Sequence, residues 1–161
     1  MPTYSKNRIV FSVRPGCVFP DAKKGIDSTI SWNQGDILYF DDTNNLIKPI
    51  ASDANGATVM GIAQQTIVNG KPVSPYQGTA VDAAQAISAL AGPQYGVVAK
   101  MLLKSGDSFN FGDLVYYGGD AQTVSSTGTN SIGIYQGAAV TASAGSEGEV
   151  LLINRLRVAA I

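Results

Sequence analysis

The sequence predicts an all-β fold with one short helix, built from two internally repeated strand-turn-strand units, and three observations predict it. The composition, 45% hydrophobic with only 14% charged, is too apolar for a disordered chain. Eighteen glycines imply many turns and argue against a helical bundle. Most decisively, the chain matches itself: ISWNQGDILYF at 30–40 aligns with DSFNFGDLVYY at 107–117, and MGIAQQ at 60–65 aligns with IGIYQG at 132–137. A chain of 161 residues buries roughly 70% of its unfolded surface, so a true core needs no covalent staples.

The first aligned block holds one offset of 77 residues, which superposes Trp32 on Phe109, Asn33 on Asn110 and Gly35-Asp36 on Gly112-Asp113. The second block has an offset of 72, so the loop between the blocks is five residues shorter in the second repeat. Gly-Asp before four β-prone residues is a turn opening a strand, because Gly tolerates positive φ and Asp bonds its own downstream backbone. Strands are therefore expected at Ile37 to Phe40 and Leu114 to Tyr117. DDTNN at 41–45 and GGDAQ at 118–122 then reverse the chain, and Leu46 to Ile50 and Thr123-Val124 return along the first strand.

Polar loops follow at 52–57 and 125–131, and then short strands around glycines, Val59 to Ala63 and Ile132 to Tyr135. Gly61 and Gly133 should mark a bend or a close approach. Val97 to Leu103 reads as the core strand ending the first repeat, with Glu149 to Ile153 in that part in the second. The first repeat also carries TAVDAAQAISALAGP at 79–93, which predicts a helix over 79–91. Thr79 can cap it, Asp82 suits its positive end, and Gly92-Pro93 stops it. The organisation is thus an N-terminal arm or strand at 1–26 and a β domain at 27–161, with repeat one at 27–103 and repeat two at 104–161.

The arm holds RIVFSV at 8–13, which reads as a strand, and then RPGCVFPD, whose prolines oppose regular pairing. It carries Lys6, Arg8, Arg14, Lys23 and Lys24 against Asp21 alone, although the whole chain has net charge −1. Either it is a basic arm reaching an acidic neighbour, or it is a solvated edge. It could run over another subunit or cross its own domain. The overall charge favours neither nucleic acid nor an anionic membrane. No run approaches the ~18 apolar residues of a membrane span, and the N-terminus lacks the apolar stretch of a signal peptide, so the protein is expected to be made in the cytoplasm.

Little catalytic chemistry is available. With no histidine and one cysteine, Ser-His-Asp and Cys-His arrangements, thiolate clusters and His-bearing zinc sites are excluded. Cys17 is a small buried hydrophobe or an inter-chain thiol. The carboxylate pairs Asp36 with Asp113 and Asp41 with Asp42 could in principle serve a hydrolase, but turn chemistry accounts for all four. DDTNN offers oxygen ligands for calcium without the spacing of an EF-hand. No phosphate-binding glycine motif occurs. The chain is therefore read as non-enzymatic, without catalytic, cofactor-binding or metal-binding residues. The aromatic pairs Tyr39-Phe40 and Tyr116-Tyr117 should each send one ring inward and one outward, because neighbours in a strand face opposite sides.

GDLVYYGGDAQTV, NSIGIYQGAA and GSEGEVLLI, over about residues 106–153, resemble the small β-rich decoration, or cement, proteins of tailed-bacteriophage capsids; GDILYF and MGIAQQ repeat the first part at 35–65. That resemblance implies a small β-barrel or β-tulip that trimerises, sits on the capsid exterior and bridges major capsid subunits, with no catalytic residue. The helical insertion and the N-terminal segment lie outside it. The candidate partner contacts are Arg8, Arg14, Lys23, Lys24, Tyr39 and Tyr117, and the partner expected is the major capsid protein, with no direct nucleic acid and no membrane. The alternative reading is a carbohydrate-binding or adhesin module of a phage fibre or surface protein, suggested by outward Tyr rings and the polar loops.

Overall fold

The computed structural model describes residues 8–12, 29–44, 46–63, 66–72 and 97–153. The helix expected at 79–91 lies outside them, as do Cys17 and most of the N-terminal arm. In chain order the strands are β1 (Arg8–Ser12), β2 (Ile37–Asp41), β3 (Leu46–Pro49), β4 (Val59–Ile62), β5 (Ile67–Val68), β6 (Lys71–Pro72), β7 (Val97–Leu103), β8 (Ser108–Phe109), β9 (Leu114–Tyr117), β10 (Thr123–Ser125), β11 (Gly133–Tyr135), β12 (Val140–Thr141) and β13 (Glu147–Leu152). A 3-10 turn, Asp53–Thr58, precedes β4. The fold is all-β, as the sequence predicts, and it contains a closed five-strand barrel.

The barrel closes in the order β7, β10, β9, β11, β13 and back to β7. Alternation explains its filling. On β7, Ala99, Met101 and Leu103 face inward and are buried, whereas Val98, Lys100 and Leu102 between them are half-buried. On β13, Gly148, Val150 and Leu152 are buried while Glu149 is exposed. Val115, Val124, Ile132 and Phe109 complete the interior, all with no measurable exposure. A barrel of so few strands has room only for its own side chains.

The repeat is reproduced in the strand registers and the opening turns. β2 pairs with β4 so that Ile37 faces Ile62 and Leu38 faces Gly61, and β9 pairs with β11 so that Leu114 faces Ile134 and Val115 faces Gly133. Across the other edge, Tyr39 faces Lys48 and Phe40 faces Ile47, as Tyr116 faces Ser125 and Tyr117 faces Val124. The opening turns match as well. Asn33 N–H donates to Asp36 Oδ2 at 2.8 Å, and Asn110 N–H to Asp113 Oδ2 at 2.7 Å, while Gly35 and Gly112 each adopt a φ of 89°. The five extra residues of the first repeat fall between β3 and β4, where the 3-10 turn lies.

The repeats differ in how they close. β7, read from the sequence as the last strand of the first repeat, pairs antiparallel with β13 along Val98 to Leu102 and parallel with β10 at Leu102 and Leu103. Its partners in the barrel are thus strands of the second repeat. The rest of the edge it shares with β10, from Val97 to Lys100, is taken by β1, running antiparallel with a bulge between Ile9 and Phe11. β2, β3 and β4 form a separate three-stranded sheet. One face of that sheet joins the main core through Ile37, Val59 and Ile62, and the other builds a second cluster of Ile30, Trp32, Leu38, Ile47, Met60, Ala63 and Ile67.

The small β5-β6 hairpin was not foreseen by the repeat alignment. It turns at Asn69 and Gly70, which have φ of 50° and 76°, the conformation an Asn-Gly hairpin turn requires. Ile67 and Trp32 exchange backbone hydrogen bonds of 2.9 and 3.0 Å, and the corresponding second-repeat pairing joins Phe109 in β8 to Val140 in β12.

Candidate functional site

The hairpin between β9 and β10 seats its tip on the first repeat. Ile37 N–H donates to the Ala121 carbonyl at 2.6 Å, and Gln122 Nε2 donates to Asp36 Oδ1 at 2.9 Å. The tip is held in shape by Asp120, whose carboxylate accepts the N–H groups of Gln122 and Thr123 and the Thr123 hydroxyl at 2.8 to 2.9 Å. Ala121 packs on the main core. The consequence is nearly complete burial: Asp36 is 5% exposed and Ile37 0%.

A second clasp sits beside it. Asp53, in the 3-10 turn, accepts the N–H groups of Thr129 and Asn130 and the Asn130 side-chain amide at 3.1 to 3.4 Å. Charge-assisted bonds to a carboxylate are among the stronger ones a surface loop can make. Gly56 lies so close to this loop that a Cβ there would come within 2.5 Å of the Asn130 carbonyl oxygen. Only a residue without a side chain fits. Because the 3-10 turn has no counterpart in the second repeat, this clasp is made once in the chain.

The matching face of the second repeat is open. Leu114, the counterpart of Ile37, is 44% exposed, and Phe111, the counterpart of Gln34, is 71% exposed. Among the described residues no hairpin tip takes there the place that Ala121 and Gln122 take on the first repeat. A large aromatic and a leucine three residues apart in the chain are thus left outward, whereas the other large apolar side chains among the described residues are mostly covered.

No protein-family model matches the chain, and no curated protein matches it. The site therefore rests on geometry.

The carboxylates named from the sequence are all turn or junction groups here. Asp36 bonds Asn33 and Gln122, and burial pushes its carboxyl above the usual value against the lowering effect of those bonds. The sign follows from that direction: the folded state keeps this proton where the unfolded chain has lost it, so ionising Asp36 at higher pH opposes folding. Asp113 bonds Asn110 through backbone and side chain. Asp107, at the barrel rim, is pushed up by burial, but the Ser125 hydroxyl at 2.6 Å, the Ser126 N–H at 2.9 Å and the Lys104 charge outweigh that and hold it below the ordinary value.

Asp41, in the tip of the first repeat, is bound by Lys48 Nζ at 2.6 Å and by the Asn44 side chain at 2.8 Å. Its pKa is lowered from 3.8 to about 2, chiefly by the Lys48 bond and then by Asn44. Its contribution is present above pH 3.8 and is lost as the pH falls through about 2. An NMR titration of the Asp41 carboxyl carbon is expected to give that midpoint, and Lys48→Met is expected to move it toward 3.8. An unchanged midpoint in the variant would show that Lys48 does not set it. The calcium ligands read into 41–45 thus include a carboxylate already engaged by a lysine. Among the described residues, no group of three or more His, Cys, Asp or Glu is placed to hold a metal ion.

Of the six contact residues named from the sequence, Arg14, Lys23 and Lys24 lie outside the described residues. Arg8 is placed by its backbone alone, in β1 opposite Lys100. Tyr39 and Tyr117 are half-buried and pack against the main core, and Phe40 packs against the second cluster. Both rings are thus covered in part and exposed in part. Neighbours do face opposite sides of the sheet, but in the first repeat both sides are covered by core. Among the described residues the exposed large apolar side chains are Phe111 and Leu114, together with Val68 at 45%. For Phe111 the signal in the sequence is an apolar residue at a turn position where the other repeat has Gln34.

Proposed function

We propose that the protein is a structural virion protein, a cement protein that binds the outside of a tailed-phage capsid and stabilises it by bridging major capsid subunits. The observation that carries the reading is the barrel filled by its own side chains: Ala99, Met101, Val115, Val124 and Val150 leave no exposed surface inside, so the barrel offers its outer surface to partners. Surface complementarity over roughly 1,200–2,000 Å² is the ordinary basis of such attachment. The likeness of GDLVYYGGDAQTV and GSEGEVLLI to the decoration-protein pattern gives the partner its identity in this reading. In it the protein is a homotrimer, made in the host cytoplasm and mounted on the capsid exterior, without direct contact to nucleic acid or membrane.

The test is sedimentation of the purified protein with preassembled, expanded shells of the phage that encodes it. Saturable recovery in the shell fraction at micromolar protein is the expected result. Failure to sediment with shells at that concentration would overturn the proposal. A glycan array run beside it distinguishes the adhesin alternative, in which the protein binds a sugar and ignores the shell.

A further inference from the structure

The junction of the two repeats is an interface between nearly equivalent units, and it is used once. The first repeat's face, Asp36 and Ile37, receives the second repeat's tip, Ala121 and Gln122. Each repeat owns both halves of that contact. The second repeat has its own face in Phe111, Asp113 and Leu114, and the first repeat has its own tip at Asp42, Thr43 and Asn44, where Asn44 stands 77 residues before Ala121. The two tips are hairpins of the same length, with Asp41 facing Leu46 as Gly118 bonds Thr123. Both unused halves are exposed: Asp42, Thr43 and Asn44 at one end, Phe111 and Leu114 at the other.

We infer that a second molecule of this chain seats its Asp42–Asn44 tip on the Phe111–Leu114 face, continuing head to tail between molecules the contact that joins the repeats within one. The backbone supports the same bond. Tyr135 N–H donates to the Asp113 carbonyl and Gly112 N–H to the Tyr135 carbonyl, both at 2.8 Å, just as Ala63 N–H donates to Asp36 at 2.8 Å and Gly35 N–H to Ala63 at 2.7 Å. With Leu114 facing Ile134 as Ile37 faces Ile62, the Leu114 N–H points away from β11, toward where an Asn44 carbonyl would lie. The residue types agree with an occupied face. Leu114, the counterpart of the covered Ile37, is an apolar group that gains from being covered in the same way.

Such a contact is heterologous, so it propagates until rotation closes a ring, or it continues as a filament. It lacks the Asp53 clasp and the covalent tether that hold the two repeats of one chain together, and it is therefore weaker than the junction it copies. Association in the micromolar range is the expected strength. The contact does not require a shell, and it stands or falls separately from the capsid reading.

Cysteine pairing tests the geometry. In a Cys17→Ser background, Asn44→Cys and Leu114→Cys are prepared as separate proteins, each shown to keep the parent's thermal midpoint. They are then mixed under oxidised glutathione. A disulfide-linked dimer is expected from the mixture and from neither protein alone. A disulfide dimer formed by either variant alone, or none from the mixture together with a monomeric mass at about 100 μM, would overturn the inference. Independently, Leu114→Asp, at the position matching the covered Ile37, is expected to weaken self-association of the otherwise unmodified protein by about tenfold or more in sedimentation equilibrium. Unchanged association would equally overturn it.

Discussion

Phe109→Ala is expected to destabilise the protein by about 3–5 kcal/mol, whereas Phe111→Ala, two residues along the chain, is expected to stay within about 0.5 kcal/mol of the parent at high dilution. The difference is positional. Phe109 is fully buried, pairs with Val140 across β8 and β12, and lays its ring 5.5 Å from that of Tyr135 at an interplanar angle of 40°. Truncating it removes a tilted aromatic contact and leaves a cavity in an interior with no slack. Tyr135 is held from moving into that space by its hydroxyl bond to the Ala138 carbonyl at 2.9 Å. Phe111 lies at the apex of its turn, 71% exposed, and contributes little to folding. Equilibrium urea unfolding of the two variants measures both effects. Equal losses would contradict the burial of one ring and the exposure of the other.

Gly133→Ala is expected to cost about 1–3 kcal/mol, an unusual penalty for one added methyl group. Gly133 faces Leu152 across β13 and Val115 across β9. A Cβ built there would stand 2.4 Å from Val150 Cγ1 and 2.7 Å from the Leu151 carbonyl oxygen. The second neighbour is backbone, which cannot rotate aside, so the strands β11 and β13 must part. Because β13 also pairs with β7, separating it loosens the seam that closes the barrel. A denaturation midpoint within error of the parent would contradict this packing.

How much of this was legible in the sequence follows from the range of each signal. The Gly35-Asp36 and Gly112-Asp113 turns are local: positive φ at the glycine and an Asp side chain bonding three residues back are set within four residues, and both are found. Strand positions followed from such turns, and the offsets of 77 and 72 residues recur in the pairings. Strand partners did not follow. The run VVAKMLL declares a strand, but nothing in Val97 to Leu103 says that its neighbours are β13, β10 and β1. A parallel pairing such as β7 with β10 has no turn between its members to announce it. The Asn69-Gly70 hairpin carries a local turn signal of its own, and the second repeat has no such pair at the matching place.

The candidate site shows the same limit more sharply. Tyr39 and Tyr117 stand on strands, yet how far a ring is covered depends on what packs over its face, here the main core for both, while the second cluster covers Phe40. Ile37 and Leu114 are alike in residue type and in register, and only the tertiary contact of Ala121 makes one buried and the other exposed. Exposure of Phe111 had a sequence trace, the replacement of Gln34, but it acquires meaning only once the covered face of the first repeat is known.

Stabilisation of a shell is the most direct measure of the central claim. In the proposed reading the protein belongs to a tailed phage, so expanded, DNA-filled capsids of that phage, stripped of this protein, are heated with and without it, and DNA release is followed by dye fluorescence. Adding the protein is expected to raise the release temperature by several degrees or more, saturating at a fixed ratio of protein to capsid subunits. Release at the same temperature with and without saturating protein would contradict a cement function.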